Sequence, residues 1–307
     1  MPRSAITGTL GALVLPGILV LSALLGLVAV PGMAQGPTAG SAAAPMPQGR
    51  ASSGPTYVIL VHGYDPSTVP AYTVWTYGVN VYQQLVNAGY VVGVVSYYGT
   101  FTLTFSNGTT YTDPSFYGTT STPIESIALE LGRTLDRDFA HQSVNLDIMG
   151  HSMGGLVTEY LLEHVRLPRV TLQNVIFLGT PLDGAPVTYL TPWINLTGYE
   201  ASEMSQGSGF LTTLHAWMPN ARANYPSTEW LVYVGYANPI WAMAYFSGHA
   251  NDGLVDAPSA EAVPHDHSYL FPDLHIPTLD PYTPGKVSYF EDPNYASEVL
   301  ANFAGQY

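Results

Sequence analysis

Gly150-His151-Ser152-Met153-Gly154, set between the apolar run Val144–Met149 and the helix-patterned stretch Leu156–Val165, decides the architecture of this chain. An apolar run, a glycine-flanked turn and an immediate helix form a strand, tight turn and helix with the serine at the turn. Glycines are required because the serine is held in a strained backbone conformation, and a side chain beside it would strike the adjacent strand or helix. Ser152 is therefore expected to project its hydroxyl from the top of a sheet.

Outward from this turn the same grammar repeats. Tyr57–Val61, bounded by Pro55 and Gly63, is a short continuous apolar run, as expected of a strand buried on both faces of a parallel sheet. Val74–Ala88 reads as one helix with Val79, Tyr82, Leu85 and Val86 on a shared face, and Tyr90–Ser96 as the next strand. The β-branched alternation of Thr100–Tyr117 predicts a hairpin excursion. Ile124–Ala140 follows as an amphipathic helix that starts after Pro123, with Ile127, Leu131 and Leu135 turned inward. Val175–Leu178 and Trp230–Gly235 supply further strands. Strands alternating with helices argue for an α/β fold with a mostly parallel central sheet, right-handed crossovers and helices on both faces. Between Pro186 and Pro226 the alternation breaks into an insertion rich in Leu, Trp, Met, Tyr and Gly, too long for a plain connection in a compact domain.

Composition narrows the classes of function. The 307 residues, 47% of them hydrophobic, suffice for one large core, and a single α/β domain is the default. A formal charge of −14, with Lys286 as the only lysine, repels nucleic-acid phosphates and makes nucleic acid an unsuitable partner. Only 10% of residues are charged, so the surface is mostly neutral and polar; it loses little when acid protonates its carboxylates, a hint of an acidic habitat. The chain has no cysteine, which removes disulfides, a thiolate nucleophile and any cysteine-based metal site. No metal site stands out elsewhere: His265-Asp266-His267 offers ligands but reads as a solvated loop, and there is neither an H-E-x-x-H pattern nor a glycine-rich phosphate loop. No cofactor is expected.

The N-terminus carries Arg3, the apolar run Leu10–Val30 and then Gly32-Met33-Ala34, the form of a secretory signal cleaved near Ala34. Residues 1–34 are read as that signal and the protein as secreted. The apolar run is also long enough to span a bilayer, so an uncleaved anchor facing outside, with membrane association through this segment, is the second reading. Residues 35–55, rich in Ala, Gly, Pro and Ser, read as a flexible linker, and 56–307 as the folded domain.

The Gly150–Gly154 motif, together with Leu60-Val61-His62-Gly63-Tyr64, Gly179-Thr180-Pro181 and Asn251-Asp252-Gly253-Leu254-Val255 in this order, resembles the α/β-hydrolase superfamily, and within it secreted bacterial-type lipases and esterases. Met204–Leu214 is similar to an M-x-x-G-S-x-F-L-x-x-L stretch of some lipase-like branches. The resemblance runs from about Thr56 to the C-terminus and implies an α/β-hydrolase fold with a cap or lid inserted at about 186–226. In that picture Phe210, Leu211 and Trp217 of the cap grip an acyl chain; the alternative is a pair of helices that extend the core.

A serine hydroxyl needs a base to take its proton and an acid to orient that base, and the order implied by the resemblance is Ser, acid, His. Ser152 is the nucleophile and Asp252 the acid, with Asp256 as competitor. His265, His267 and His275 all follow; His275 is favoured because it leaves room for a strand at about Ser268–Phe271 and a returning loop, and His267 is the runner-up. The backbone N–H groups of Met153 and Tyr64 occupy the oxyanion-hole positions, while His62 supports its loop and His151 packs within the elbow. The function this implies is a secreted serine carboxylester hydrolase acting on lipid or other uncharged esters. An acyltransferase or polyester depolymerase with the same triad, and a catalytically silent surface binding protein of the same fold, are the competing readings.

Overall fold

The structure, a computed structural model, describes residues 55–65, 70–189, 196–276 and 287–307; the signal, anchor and linker readings of residues 1–54 fall outside these. An eight-stranded sheet of order β4-β3-β2-β1-β5-β6-β7-β8 organises the domain. Its strands are β1 Thr56–Val61, β2 Val91–Ser96, β3 Gly99–Phe105, β4 Thr110–Gly118, β5 Val144–His151, β6 Val170–Leu178, β7 Glu229–Gly235 and β8 His267–Phe271. The β3–β4 hairpin is antiparallel at one edge, and β2-β1-β5-β6-β7-β8 are parallel, as the alternation of elements requires.

The period of two in each strand builds two cores. Tyr57, Ile59 and Val61 of β1 join the cluster that includes helix α3 (Ile124–Asp138) and helix α4 (Met153–His164). Val58 and Leu60 point the other way, toward α1 (Tyr72–Thr76), α2 (Val81–Asn87) and the C-terminal Pro293–Phe303 helix. Each wholly buried Val, Ile or Leu contributes about 1.5–3 kcal/mol, which is why the runs of β1, β2 and β5 are almost uninterrupted apolar sequence.

One expected helix is two. Val74–Ala88 is broken because Gly78 and Asn80 take left-handed backbone, with φ of 55° and 51°. Val79 donates to the Phe290 carbonyl at 2.8 Å, and a Cβ on Gly78 would stand 2.1 Å from that same oxygen. The Asn80 side chain then caps α2 by accepting from Gln83 N at 3.0 Å. Contact with the distant C-terminal segment overrides the helical periodicity there.

In the insertion, α5 (Gly198–Glu203) and α6 (Gly209–Asn224) are separate helices. Leu211, Leu214, Met218 and Ala221 form the buried stripe of α6 and belong to the same core as α3 and α4. Glu203 of α5 caps α3, its Oε2 accepting from Ile124 N at 2.9 Å. No described helix is long and apolar enough to cross a membrane.

Candidate active site

The chain leaves β1 toward β2 on one side and returns to β5 on the other, so the carboxyl ends of β1 and β5 flank the point where strand order reverses. In an open α/β sheet this crevice is where ligands bind. Val61 pairs with Gly150, which brings His62-Gly63-Tyr64 and Ser152 to the same edge.

Ser152 sits between β5 and α4 with φ 54° and ψ −128°, a conformation that costs about 1–3 kcal/mol for a residue with a side chain. The surroundings over-determine it. Ser152 N donates to Leu178 O at 2.9 Å, and its carbonyl accepts from Gly155 N at 3.0 Å. A Cβ on Gly154 would lie 2.2 Å from Val61 O, and one on Gly150 2.5 Å from Gly154 O, so the elbow closes only with glycine at both places. Ser152 remains partly exposed while both neighbours are buried. Met153 is the first residue of α4, and its N–H belongs to the helix turn that has no intrahelical acceptor.

Asp252 and His275 are brought together from opposite ends of a 23-residue separation. The Nδ1 of His275 donates to Asp252 Oδ2 at 2.7 Å, and His275 N donates to the Asp252 carbonyl at 3.0 Å. Both side chains are buried. Asp252 Oδ1 accepts from Leu254 N at 2.9 Å and Val255 N at 2.8 Å, while the Tyr289 hydroxyl donates to Oδ2 at 3.2 Å. These donors take the place of the water that a buried carboxylate has lost. Gly179, after β6, completes the contact: a Cβ there would reach 3.0 Å from both Asp252 Oδ2 and His275 Nδ1. His151 links this pair to the elbow, its ring centroid 4.7 Å from that of His275. Burial, and then the neighbouring His275, hold His151 well below the ordinary histidine pKa, so it stays neutral.

The competitors have other partners. Asp256 caps a short helix by accepting from Ser259 N at 3.2 Å and faces His249 Nδ1 at 2.9 Å. His267, at the start of β8, stacks on Tyr307 with centroids 5.1 Å apart, and His265 Nδ1 bonds the Val263 carbonyl at 2.9 Å. Asp266 is held by Arg222 at 2.8 Å and Trp230 N at 2.9 Å, so the His-Asp-His triplet is a braced loop. Among the described residues no group of three or more His, Asp or Glu is arranged to hold a metal.

The insertion meets the site through different residues from those expected. The Tyr64 hydroxyl donates to Thr197 O at 2.9 Å, and Tyr98 OH donates to Glu200 Oε2 at 2.6 Å, so it is α5 and its entry that stand against the His62–Tyr64 loop. Phe210 stacks on Tyr160, eight positions or about 12 Å along α4 from Ser152, and lines a cavity of about 400 Å³ with Tyr199, Glu203 and Thr213. Trp217 lies near His164, about 18 Å along the same helix, and is 46% exposed. Leu211 is 2% exposed within the core. Of the three residues expected to grip an acyl chain, Leu211 thus lies in the core, Phe210 lines the cavity beside Tyr160, and Trp217 stands at the far end of α4, while the apolar stripe of α6 extends the core. Tyr289, which reaches Asp252 from the far end of the chain, has no motif around it that the sequence could have shown.

No family model matches this chain. It is 33% identical over 119 residues, 38% of its own length, to an uncharacterised membrane protein, YCR061W, of Saccharomyces cerevisiae, of which it spans 18%. Among solved structures, phospholipase PlaB from Legionella pneumophila is similar with a TM-score of 0.55 at 14% identity, over 80% of this chain and 59% of that one. The propeptide form of Bacillus licheniformis lipase BlEst2 is similar with a TM-score of 0.52 at 17% identity, over 80% of this chain and 49% of that one. These likenesses, the parallel sheet and the strained strand-turn-helix define the class of architecture: the chain has the α/β-hydrolase fold.

Proposed function

We propose that this protein is a serine carboxylester hydrolase in which Ser152 is the nucleophile, His275 the base and Asp252 the acid that orients it. The observation that carries the reading is the buried His275–Asp252 pair, bonded at 2.7 Å at the strand ends beside the strained Ser152 turn. With Nδ1–H donated to Asp252, the other ring nitrogen of His275 carries the lone pair that a base requires. That nitrogen takes the Ser152 proton as the hydroxyl oxygen attacks the ester carbonyl. The negative charge then developing on the carbonyl oxygen is met by the N–H groups of Met153 and Tyr64. Collapse of the tetrahedral species expels the alcohol, protonated by His275, and leaves an acyl-Ser152 ester that water, activated by the same histidine, hydrolyses.

Lipid or other uncharged esters are the proposed substrates, since a strongly anionic protein disfavours anionic ones. Export, with residues 1–34 removed or kept as an anchor, belongs to the same reading. The test is hydrolysis of p-nitrophenyl esters of graded chain length together with labelling by a fluorophosphonate probe. Both are expected in the parent and absent from a folded Ser152→Ala variant; turnover surviving in that variant overturns the assignment.

A further inference from the structure

In the reaction proposed above, the peptide joining Gly63 to Tyr64 supplies one of the two N–H groups that meet the developing oxyanion. In a planar trans peptide the C=O and N–H point in opposite directions, so whatever holds the Gly63 carbonyl also aims the Tyr64 N–H. Two buried side chains hold that oxygen: His62 Nδ1 at 2.7 Å and the Tyr97 hydroxyl at 2.9 Å. The same Tyr97 hydroxyl lies 2.5 Å from the His62 carbonyl, so its one proton is shared between consecutive carbonyls of the loop. The Tyr97 ring stacks on the His62 imidazole, centroids 4.0 Å apart and planes 7° apart, which fixes the ring whose Nδ1–H reaches Gly63.

Register explains how Tyr97 arrives there. β1 and β2 are parallel with Val61 opposite Val95, so two positions beyond that pair the same register sets Gly63 opposite Tyr97. The far side of Gly63 faces the nucleophile: a Cβ there would be 2.7 Å from Ser152 Cβ. Burial raises the Tyr97 phenol pKa and lowers that of His62 to about 4, so both are neutral donors in neutral solution.

We propose that Tyr97 is a positioning residue of the oxyanion hole: with His62 it clamps the Gly63 carbonyl and thereby turns the Tyr64 N–H toward the oxygen of the tetrahedral intermediate at Ser152. Tyr97 is wholly buried and touches no substrate. The inference rests on the proposed hydrolase reading and deepens it.

Tyr97→Phe keeps the ring and the stacking and removes only the hydroxyl. With p-nitrophenyl butyrate as substrate, kcat is expected to fall about tenfold to a hundredfold with KM within about twofold, somewhat less than loss of a whole oxyanion donor. Inhibition by an alkyl boronic acid, whose tetrahedral adduct needs the same N–H groups, is expected to weaken by a similar factor. A purely structural role would lower the amount of folded protein and the melting temperature without this split. Because both residues act on one peptide, Tyr97→Phe and His62→Asn together are expected to lose little more than the worse single variant. Parental kcat and boronate affinity in a folded Tyr97→Phe, or a double variant that loses the product of the single effects, overturns the inference. If Tyr97→Phe does not fold, His62→Asn carries the same readouts alone and decides the matter. An inactive parent, or an active Ser152→Ala, defeats the hydrolase reading instead and is told apart by those controls.

Discussion

Asp252 is the residue whose environment says most about how this site works. Its two oxygens accept from Leu254 N, Val255 N, His275 Nδ1 and the Tyr289 hydroxyl, so the carboxylate is anchored by backbone before it orients the imidazole. Asp252→Asn keeps the shape but presents an amide to His275, favouring the wrong tautomer. Ester turnover is expected to fall by about four orders of magnitude with little change in melting temperature. His275→Ala is expected to cost about three to four orders in kcat, and His267→Ala close to nothing; equal losses in the two variants would contradict the pairing. Tyr289→Phe removes a single donor of the four and should cost about 1 kcal/mol of stability, measured by urea denaturation, with kcat reduced less than tenfold.

At the scale of elements, the insertion's helices α5 and α6 have different duties. α6 is part of the core through Leu211, Leu214, Met218 and Ala221, whereas the start of α5 holds Tyr64 through the Thr197 carbonyl and Tyr98 through Glu200. Leu211→Ala leaves a cavity against α4 and is expected to destabilise the domain by about 2–5 kcal/mol. Trp217→Ala, at a half-exposed position far along α4 from Ser152, is expected to leave the profile of kcat/KM against acyl length parallel to that of the parent. A shortened chain-length preference in Trp217→Ala would return this helix to the substrate site. The split of the Val74–Ala88 stretch shows the same rule in reverse: the helical period runs on through Gly78 and Asn80, and what turns the chain there is contact with Phe290, which is far away in sequence.

For the whole molecule, charge and burial together set the response to pH. Burial raises the carboxyl pKa of Glu159 to about 8, and burial with the neighbouring Glu159 raises Glu163 to about 9. Burial also lifts Glu200 to about 8, and Glu203 and Asp138 to about 7. Each of these groups binds its proton more tightly in the folded state, so its contribution is fully present below the ordinary carboxyl range and is lost as pH rises through the folded value. Buried His62 and His151 work oppositely, since unfolding lets them take up protons below about pH 6.5. The two effects oppose each other between about pH 4.5 and 6.5, and above that the carboxylates act alone. Melting temperature is therefore expected to fall steadily from about pH 6.5 to pH 9. Glu159→Gln, neutral at every pH, should flatten part of that fall, and a melting temperature that rises toward pH 9 would exclude the account. The weakly ionised surface and these neutralised carboxyls point the same way, toward stability in mildly acidic surroundings.

Local chemistry in the sequence determined the two-faced parallel sheet and the elbow with Ser152 at its turn, because glycine spacing and period-two burial act within a few residues of each other. It also placed Asp252 in its turn through Gly253 and the following apolar pair. Of the three histidines after that turn, spacing favoured His275 over His267 without measuring any contact; the tertiary path of the chain carries His267 along β8 and brings His275 back onto Asp252. The same holds for Tyr97, Tyr289 and the inward stripe of α6. Their roles depend on strand register and on which surface lies opposite, quantities that exist only once segments distant in sequence have packed.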